Sequence, residues 1–324
     1  MKKIALLTSG GDAPGMNAAI RSVVRSGIYK GFEVVGVIKG YQGLINCDFL
    51  PMQLGSVSNI IGHGGTILKT ARCEKFFEKK GRKMAVEHLR RNKIDGLIVI
   101  GGNGSFQGAH LLASEYNFPV VGVPATIDND IIGTDFSIGS DTAINTALEA
   151  IDKIRDTVSS MERIFVIEVM GRKEGYIALR VGLAGGAEDV LISQTEYDIE
   201  RMCEDIKRGR ERGKVSWIIV VSEGVAGSKD VACLIEEMTA FETRSITLGH
   251  IQRGGSPTAM DRILASRLGA EAVNTLLKRE SDKMVAIVSK EMKLVDLAFA
   301  CSEERNGKNR LEKEIYNLIR VLAT

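Results

Sequence analysis

What most constrains this chain is a repeated order: a short apolar run, a glycine-rich break, then a stretch with helical spacing. Ile4 to Leu7 is such a run. It breaks at Thr8-Ser9-Gly10-Gly11-Asp12, and Met16 to Tyr29 follows with Ala18, Ala19, Val23 and Val24 on related helix faces. Phe32 to Ile38 is the next strand-like run, ending in Lys39-Gly40-Tyr41. Strand, glycine turn, helix and strand make a βαβ unit, and such a unit dictates a parallel sheet, so the fold class expected is α/β.

The order recurs along the chain. Ala85 to Arg91 reads as the end of a helix, Gly96 to Ile100 as a buried strand, Gly101 to Ser105 as a turn, Phe106 to Tyr116 as a helix and Val120 to Val123 as a strand. Thr142 to Arg155 is amphipathic, with Ala143, Ala147, Ile151 and Ile154 on one stripe. Ile164 to Val169, Val215 to Val221, Ser245 to Leu248 and Met284 to Ser289 read as strands. Tyr176 to Ala184, Glu196 to Arg212, Val231 to Ala240, Thr258 to Arg279 and Leu311 to Leu322 read as helices, and Ser302 to Arg310 as a charged loop. Composition shifts near Gly139 and Pro257 predict that the middle third forms a second lobe, after which the chain returns to the first.

Gly11, Tyr41, Asn103, Asp128, Arg172, Glu223 and His250 all sit just past a strand. Carboxyl ends of parallel strands share an edge, so these residues are expected to converge on a cleft. Gly10-Gly11-Asp12-Ala13-Pro14-Gly15 precedes a helix, whose N–H groups suit an anion such as phosphate; a plain turn is the alternative. It is no Walker A loop, since Met16-Asn17 stand where Lys-Ser/Thr is required. In Pro124-Ala125-Thr126-Ile127-Asp128-Asn129-Asp130, two carboxylates lie two residues apart, with a hydroxyl two residues before the first. Crowded charge of that kind calls for a cation opposite, against a reading as an ordinary Asp/Asn turn. Arg72, Arg163, Arg172, Arg244 and Arg253 are placed beside turns and strand ends, either as solvated surface arginines or, with His250, as a receptacle for phosphate. With Asp128 to activate a hydroxyl, the set asks for phosphoryl transfer onto a phosphorylated alcohol.

Bulk properties narrow the alternatives. The 324 residues are 44% apolar and 26% charged, enough for two cores, and a net charge of +2 gives no argument for a nucleic-acid or membrane partner. Five cysteines, odd in number and without a CxxC pair, exclude a disulfide framework and a zinc cluster and predict reduced thiols in a cytoplasmic protein. The apolar run after Met1-Lys2-Lys3 is too short for a secretion signal, and none approaches the ~18 residues that span a bilayer.

Thr8 to Asn17, Gly101 to Ser105, Pro124 to Asp130, Met170-Gly171-Arg172 and Gly249 to Pro257 resemble, in order and spacing, the motif set of the bacterial 6-phosphofructokinase family, and the similarity runs through almost the whole chain. The resemblance implies two Rossmann-like α/β lobes with largely parallel sheets and an active-site cleft between them. The nucleotide-binding lobe would be 1–138 plus 257–301, and the sugar-phosphate-binding lobe 139–256 plus 302–324. It further implies a homotetramer with shared active sites, ATP and fructose 6-phosphate as substrates, and magnesium as cofactor.

Carried over residue by residue, the resemblance makes Asp128 the base on the sugar 1-hydroxyl, with Thr126 at the transferring phosphoryl group and Asp130 supporting the metal. Gly11, Arg72 and Arg172 would stabilise transition-state charge. Gly102, Asn103, Gly104 and Ser105 would line the ATP phosphates, and Tyr41, Cys73 and Gly108 the adenine. Met170, Gly171 and Glu223 would hold the sugar, His250 and Arg253 its 6-phosphate, and Arg163 and Arg244 would reach into a neighbouring subunit's site. An allosteric site for ADP or phosphoenolpyruvate is implied at Arg21, Arg25, Arg155, Gly186, Glu188, Arg212 and Lys214; ordinary helix-surface arginines are the alternative for Arg21 and Arg25.

One departure stands out. The family carries aspartate where this chain has Asn103, so a carboxylate near the magnesium is replaced by an amide. At metal-ligand range such a charge is worth up to about 4 kcal/mol at an effective dielectric near 20. Pyrophosphate-using relatives typically carry aspartate at the position of Gly104 and lysine at that of Ala125; small residues at both favour ATP. Alternatives are a pyrophosphate-dependent enzyme, or a weakly active sugar-phosphate and nucleotide-binding subunit on account of Asn103.

Overall fold

Strand β1 (Lys3–Thr8), helix α1 (Met16–Tyr29), strand β2 (Glu33–Val37), helix α2 (Gly40–Asn46), strand β3 (Phe49–Met52), helix α3 (Lys79–Arg91), strand β4 (Gly96–Gly101), helix α4 (Asn103–Tyr116) and strand β5 (Val120–Pro124) open the chain in the computed structural model. The structure describes residues 1–172, 174–195, 197–302 and 308–323. Helix α5 (Ser140–Met161) follows, then β6 (Ile164–Val169), α6 (Tyr176–Ala184), β7 (Asp189–Leu191), α7 (Ile199–Glu211), β8 (Trp217–Ser222), α8 (Ser228–Thr239) and β9 (Thr243–Thr247). Helix α9 (Ala259–Leu277), the hairpin β10 (Lys283–Val288) and β11 (Glu291–Asp296), α10 (Leu297–Ala300) and α11 (Lys308–Leu322) complete it.

Two units result, Met1–Thr142 with Arg253–Glu304 and Ala143–Gln252 with Arg305–Thr324. The divisions fall four residues from those expected at 138/139 and 256/257. Arg253 therefore belongs to the first unit, where its guanidinium donates to the backbone oxygen of Asp12 at 3.1 Å.

The first unit holds a seven-stranded sheet in the order β11-β10-β5-β4-β1-β2-β3. Its five central strands are mutually parallel, while β3 and β11 pair antiparallel at the two edges. Continuous apolar runs explain the centre: β4 and β5 are buried at every position, as strands covered on both faces must be. Tyr41, Phe76, Phe106, Phe118 and Leu297 belong to one core cluster there, and full burial of a side chain of the Phe106 class contributes about 1.5–3 kcal/mol. The edges are different. In β3, Pro51 stands opposite Val35, and β11 is exposed or half-buried along its whole length and carries Glu291, Lys293 and Asp296.

The chain leaves β1 for β2 on one side and reaches β4 on the other, so the crevice outside the carboxyl ends of β1 and β4 is a topological switch point. On the same unit, Asp261 in the first turn of α9 accepts from the amides of Gly139 and Thr142 at 2.8 Å each and from Thr142 Oγ1 at 2.5 Å. Thr258, the N-cap of α9, donates in return to the Asp141 carboxylate at 2.6 Å. Asp261 thus satisfies orphan amide donors at the amino end of α5, while its own amide donates to the N-cap Thr258 Oγ1 at 3.2 Å. Burial pushes the Asp261 carboxyl above its usual value, against the pull of these bonds.

The second unit holds a fully parallel sheet, β7-β8-β6-β9. The core under its helices joins Ile164, Val166, Ile206, Trp217, Ile219 and Ile235. Among the described residues, no helix is long and apolar enough to cross a membrane, and all five cysteines are free thiols.

Candidate active site

The turn after β1 is stapled from within. Buried Asn17 donates to the backbone oxygens of His63 and Gly64 at 3.1 Å each and accepts from the amide of Ile67 at 2.8 Å. Thr8 Oγ1 meets Thr66 Oγ1 at 2.9 Å and donates to the oxygen of Lys69 at 3.1 Å. These bonds anchor the 63–69 segment that leads to Arg72 and Cys73. Neither Asn17 nor Thr8 was singled out from sequence; the readable signal was a polar residue facing inward on the apolar side of α1 and another ending a buried strand. Gly11 lies beneath Arg253: a Cβ on Gly11 would fall 2.3 Å from Arg253 Nη1.

Across the switch point, the amide of Ser9 donates to Ile100 O at 3.0 Å, which brings the β1 turn beside the start of α4. That helix begins at Asn103 rather than at Phe106, so the Gly101–Ser105 segment is the end of a strand and the first helical turn, not a free turn. Gly102 is its N-cap, with Thr126 3.6 Å from where its Cβ would be. Nothing lies within 4 Å of a Cβ on Gly104. Tyr41 is 6% exposed; its hydroxyl donates to Ser105 O, and its ring stacks on Phe76 with centroids 3.9 Å apart and planes 18° apart. A Cβ on Gly108 would strike that ring at 2.9 Å, so the glycine is required by the tyrosine. Burial raises the Tyr41 and Cys73 pKa values. Arg72 is exposed.

The turn after β5 is fixed from several sides. The amide of Ala125 donates to Gly101 O at 2.9 Å, Ser137 Oγ to Thr126 O at 2.6 Å, and Asn129 Nδ2 to Asp135 O at 3.0 Å. Asn129 takes φ 47, a left-handed conformation that asparagine tolerates better than most residues. Asp128 is 2% exposed, and its amide donates to Thr126 Oγ1 at 3.3 Å. Asn103 Nδ2 donates to Asp130 Oδ2 at 2.8 Å. The amide orientation follows from chemistry, since a carboxylate only accepts. Among the described residues, no group of three or more His, Cys, Asp or Glu side chains could hold a metal. An amide oxygen and one carboxylate are hard donors that fit a magnesium ion keeping water and phosphate ligands, as this ion prefers.

In the second unit, Met170-Gly171-Arg172, Glu223 and His250 follow β6, β8 and β9 and share the carboxyl edge of their sheet. Arg172, at φ 52, donates its amide to Glu223 Oε1 at 2.8 Å. Gln252, fully buried and not singled out from sequence, accepts from the amide of Met170 at 2.8 Å and so fixes that loop. Arg163 and Arg244 correct one expectation. They lie at the opposite edge, before β6 and at the second residue of β9, where both pair with Glu242. The five arginines therefore do not share one strand edge. The Arg163 hydrogen bond holds the Glu242 carboxyl below its usual range.

Of the expected effector residues, Arg21 and Arg25 lie on α1 of the first unit. In the second, Arg155 donates to the oxygens of Gly185 and Gly186 beyond α6. Glu188 pairs with Lys214 at 3.3 Å and accepts from the amide of Ile218, while Arg212 caps α7. Lys214 also lies 4.4 Å over the Trp217 ring.

Sheet order, glycine turns at a switch point and an acidic turn one strand away define a doubly wound α/β protein with its polar machinery at the sheet's carboxyl edge. Residues 3–276 match the family model described as phosphofructokinase, and the chain belongs to that family. It is 52% identical over 335 residues to an ATP-dependent 6-phosphofructokinase of Halothermothrix orenii and 53% over 323 residues to one of Halalkalibacterium halodurans, covering all of both chains in each case. Among solved structures, phosphofructokinase from Saccharomyces cerevisiae matches with a TM-score of 0.87 at 34% identity. That match covers 99% of this chain, which spans about half, 46%, of the yeast one.

Proposed function

We propose that the chain transfers the terminal phosphoryl group of ATP to the 1-hydroxyl of fructose 6-phosphate, giving fructose 1,6-bisphosphate and ADP. The observation that carries this reading is the turn after β5, where Asp128 is held 2% exposed two residues from both Thr126 and Asp130, with Asp130 bonded to Asn103. The full-length likeness to proteins named ATP-dependent 6-phosphofructokinase supports it.

In this mechanism Asp128 takes the proton of the 1-hydroxyl as its oxygen forms a bond to the γ-phosphorus. The bond from that phosphorus to the β–γ bridging oxygen breaks, and ADP leaves with the electron pair. Gly11, Arg72 and Arg172 offset charge on the moving group, and Thr126 orients it. Gly102 to Ser105 accept the remaining phosphates, with Tyr41, Cys73 and Gly108 on the adenine side. When bound, magnesium would neutralise phosphate charge, held by Asn103 and Asp130. The open space at Gly104 suits ATP over pyrophosphate. Met170, Gly171, Glu223 and His250 would position the sugar. Arg163 and Arg244, at the other edge of their sheet, would serve a neighbouring subunit in a cytoplasmic homotetramer. ADP or phosphoenolpyruvate would bind at the effector residues.

A coupled assay of fructose 1,6-bisphosphate formation, with ATP and pyrophosphate run side by side, tests this reading; product from pyrophosphate alone would reject it. The Asn103–Asp130 bond favours a second reading, a binding subunit of low turnover. Tight fructose 6-phosphate binding without turnover at saturating magnesium would select it.

A further inference from the structure

The acidic turn after β5 is tied to a second place on its own sheet. β5 pairs with β10 only at Val121 with Lys283 and Gly122 with Met284, so the later residues of β10 lie beyond it. Past the acidic turn, the chain itself comes back to β10. The amide of Asp135 donates to Ile287 O at 2.7 Å, and Thr134 Oγ1 accepts from the amide of Ile287 at 3.2 Å. Asp135 Oδ2 accepts from the amide of Ser289 at 2.7 Å, in the tight turn to β11 where Ser289 and Lys290 take φ 52 and 70. Gly133, at φ 84, lets the strip lie close to β11: a Cβ there would fall 2.8 Å from Val295 Cγ1.

Asn129 ties the acidic turn to this strip. It is 3% exposed, and its Nδ2 donates to Asp135 O at 3.0 Å. Its φ of 47 sets the direction in which the chain leaves Asp128, a conformation that persists only where the surroundings over-determine it. On the other side of Asp128, Thr126 O accepts from Ser137 Oγ at 2.6 Å. The backbone around Asp128 is therefore fixed on both sides by one returning segment, residues 135–137.

We propose that Asn129 is the positioning residue for Asp128: through Asp135 and the end of β10, it holds the Asp128 carboxylate where proton transfer from the sugar hydroxyl requires it. A general base acts only within hydrogen-bond reach of its proton. A misplacement of about 1 Å can cost about 10²-fold in rate. Asn129 stays neutral, takes no proton and needs no contact with either substrate. This role rests on the kinase reading of Asp128.

A double-mutant cycle on the full chain tests it. Asn129→Gly removes the amide and leaves the left-handed backbone accessible, so the lost tie is read without added strain. Its kcat should fall by about 30-fold or more, with KM for ATP and for fructose 6-phosphate within about threefold of wild type. In an Asp128→Asn background the same substitution should change kcat by less than about twofold, because the group it positions is gone. Losses that multiply in the double variant would overturn the proposal. So would an Asn129→Gly protein with normal kcat, or one whose loss lies wholly in KM. Thermal melts confirm folding. If Asn129→Gly does not fold, Asn129→Asp, which replaces the donor by an acceptor at nearly the same volume, enters the cycle in its place. Wild-type protein making no fructose 1,6-bisphosphate would instead refute the kinase reading, and with it the base that Asn129 serves.

Discussion

Asn103 Nδ2 and Asp130 Oδ2 are 2.8 Å apart, so the first residue of α4 and the last acid of the β5 turn form a bonded pair. Aspartate at 103 would place two carboxylates at that distance, an arrangement that demands a cation. The amide removes the demand and spends one of Asp130's lone pairs.

Asn103→Asp is accordingly expected to raise turnover at subsaturating magnesium by about tenfold or more, given the size of a single charge interaction at ligand range. Initial rates across a magnesium titration check this; superimposable curves would mean that position 103 does not limit cation binding.

Asp128→Asn keeps the volume and removes the base. Turnover should drop about 10²–10⁴-fold, the usual worth of general-base catalysis, while calorimetry should find sugar-phosphate affinity close to wild type. Equal loss of both would remove Asp128 from the proton-transfer role.

Gly108→Ala drives a methyl into the buried Tyr41 ring, which is stacked on Phe76. Overpacking of this kind costs about 1–3 kcal/mol. Urea unfolding should show that loss, and a Tyr41→Leu/Gly108→Ala protein should recover part of it.

Much of this arrangement was legible in the sequence, and what was not has physical causes. β1, β4, β5 and β6 were readable because buried parallel strands are unbroken apolar runs. α2 was hidden between Lys39 and Cys47, both at φ 63, in a seven-residue segment too short to show a helical period. β7 has three residues, and β11 carries as many charges as apolar side chains. Helix starts were misplaced where glycine or charge masked them: α4 begins at Asn103, α7 at Ile199 and α11 at Lys308. The expectation for Glu196 and most of the Ser302 to Arg310 loop falls outside the described residues. Site residues on strand ends were found by position alone. Those acting through a neighbour, such as Asn17 and Gln252, become visible only when the neighbour does.

Asp261→Asn probes the joint between α5 and α9. The buried carboxyl has a pKa raised above its ordinary 3.8, so its ionisation opposes folding. Its contribution is therefore most favourable below pH 3.8 and declines as pH rises through the higher folded-state value. The asparagine lacks this dependence but faces amide donors with an NH₂ group, a loss of about 1–3 kcal/mol. Denaturant unfolding across pH should show the wild-type advantage shrinking from acid toward neutrality; an advantage growing with pH would contradict the sign.

Parallel strands as apolar as β4 and β5 would recruit stray chains if they lay at a border. Here the borders are a strand with a proline, which withholds one backbone donor, and a strand lined with acids and lysine. The sheet is finished at both sides by segments poorly suited to pairing with a further strand, the arrangement that guards sheet edges against edge-to-edge association.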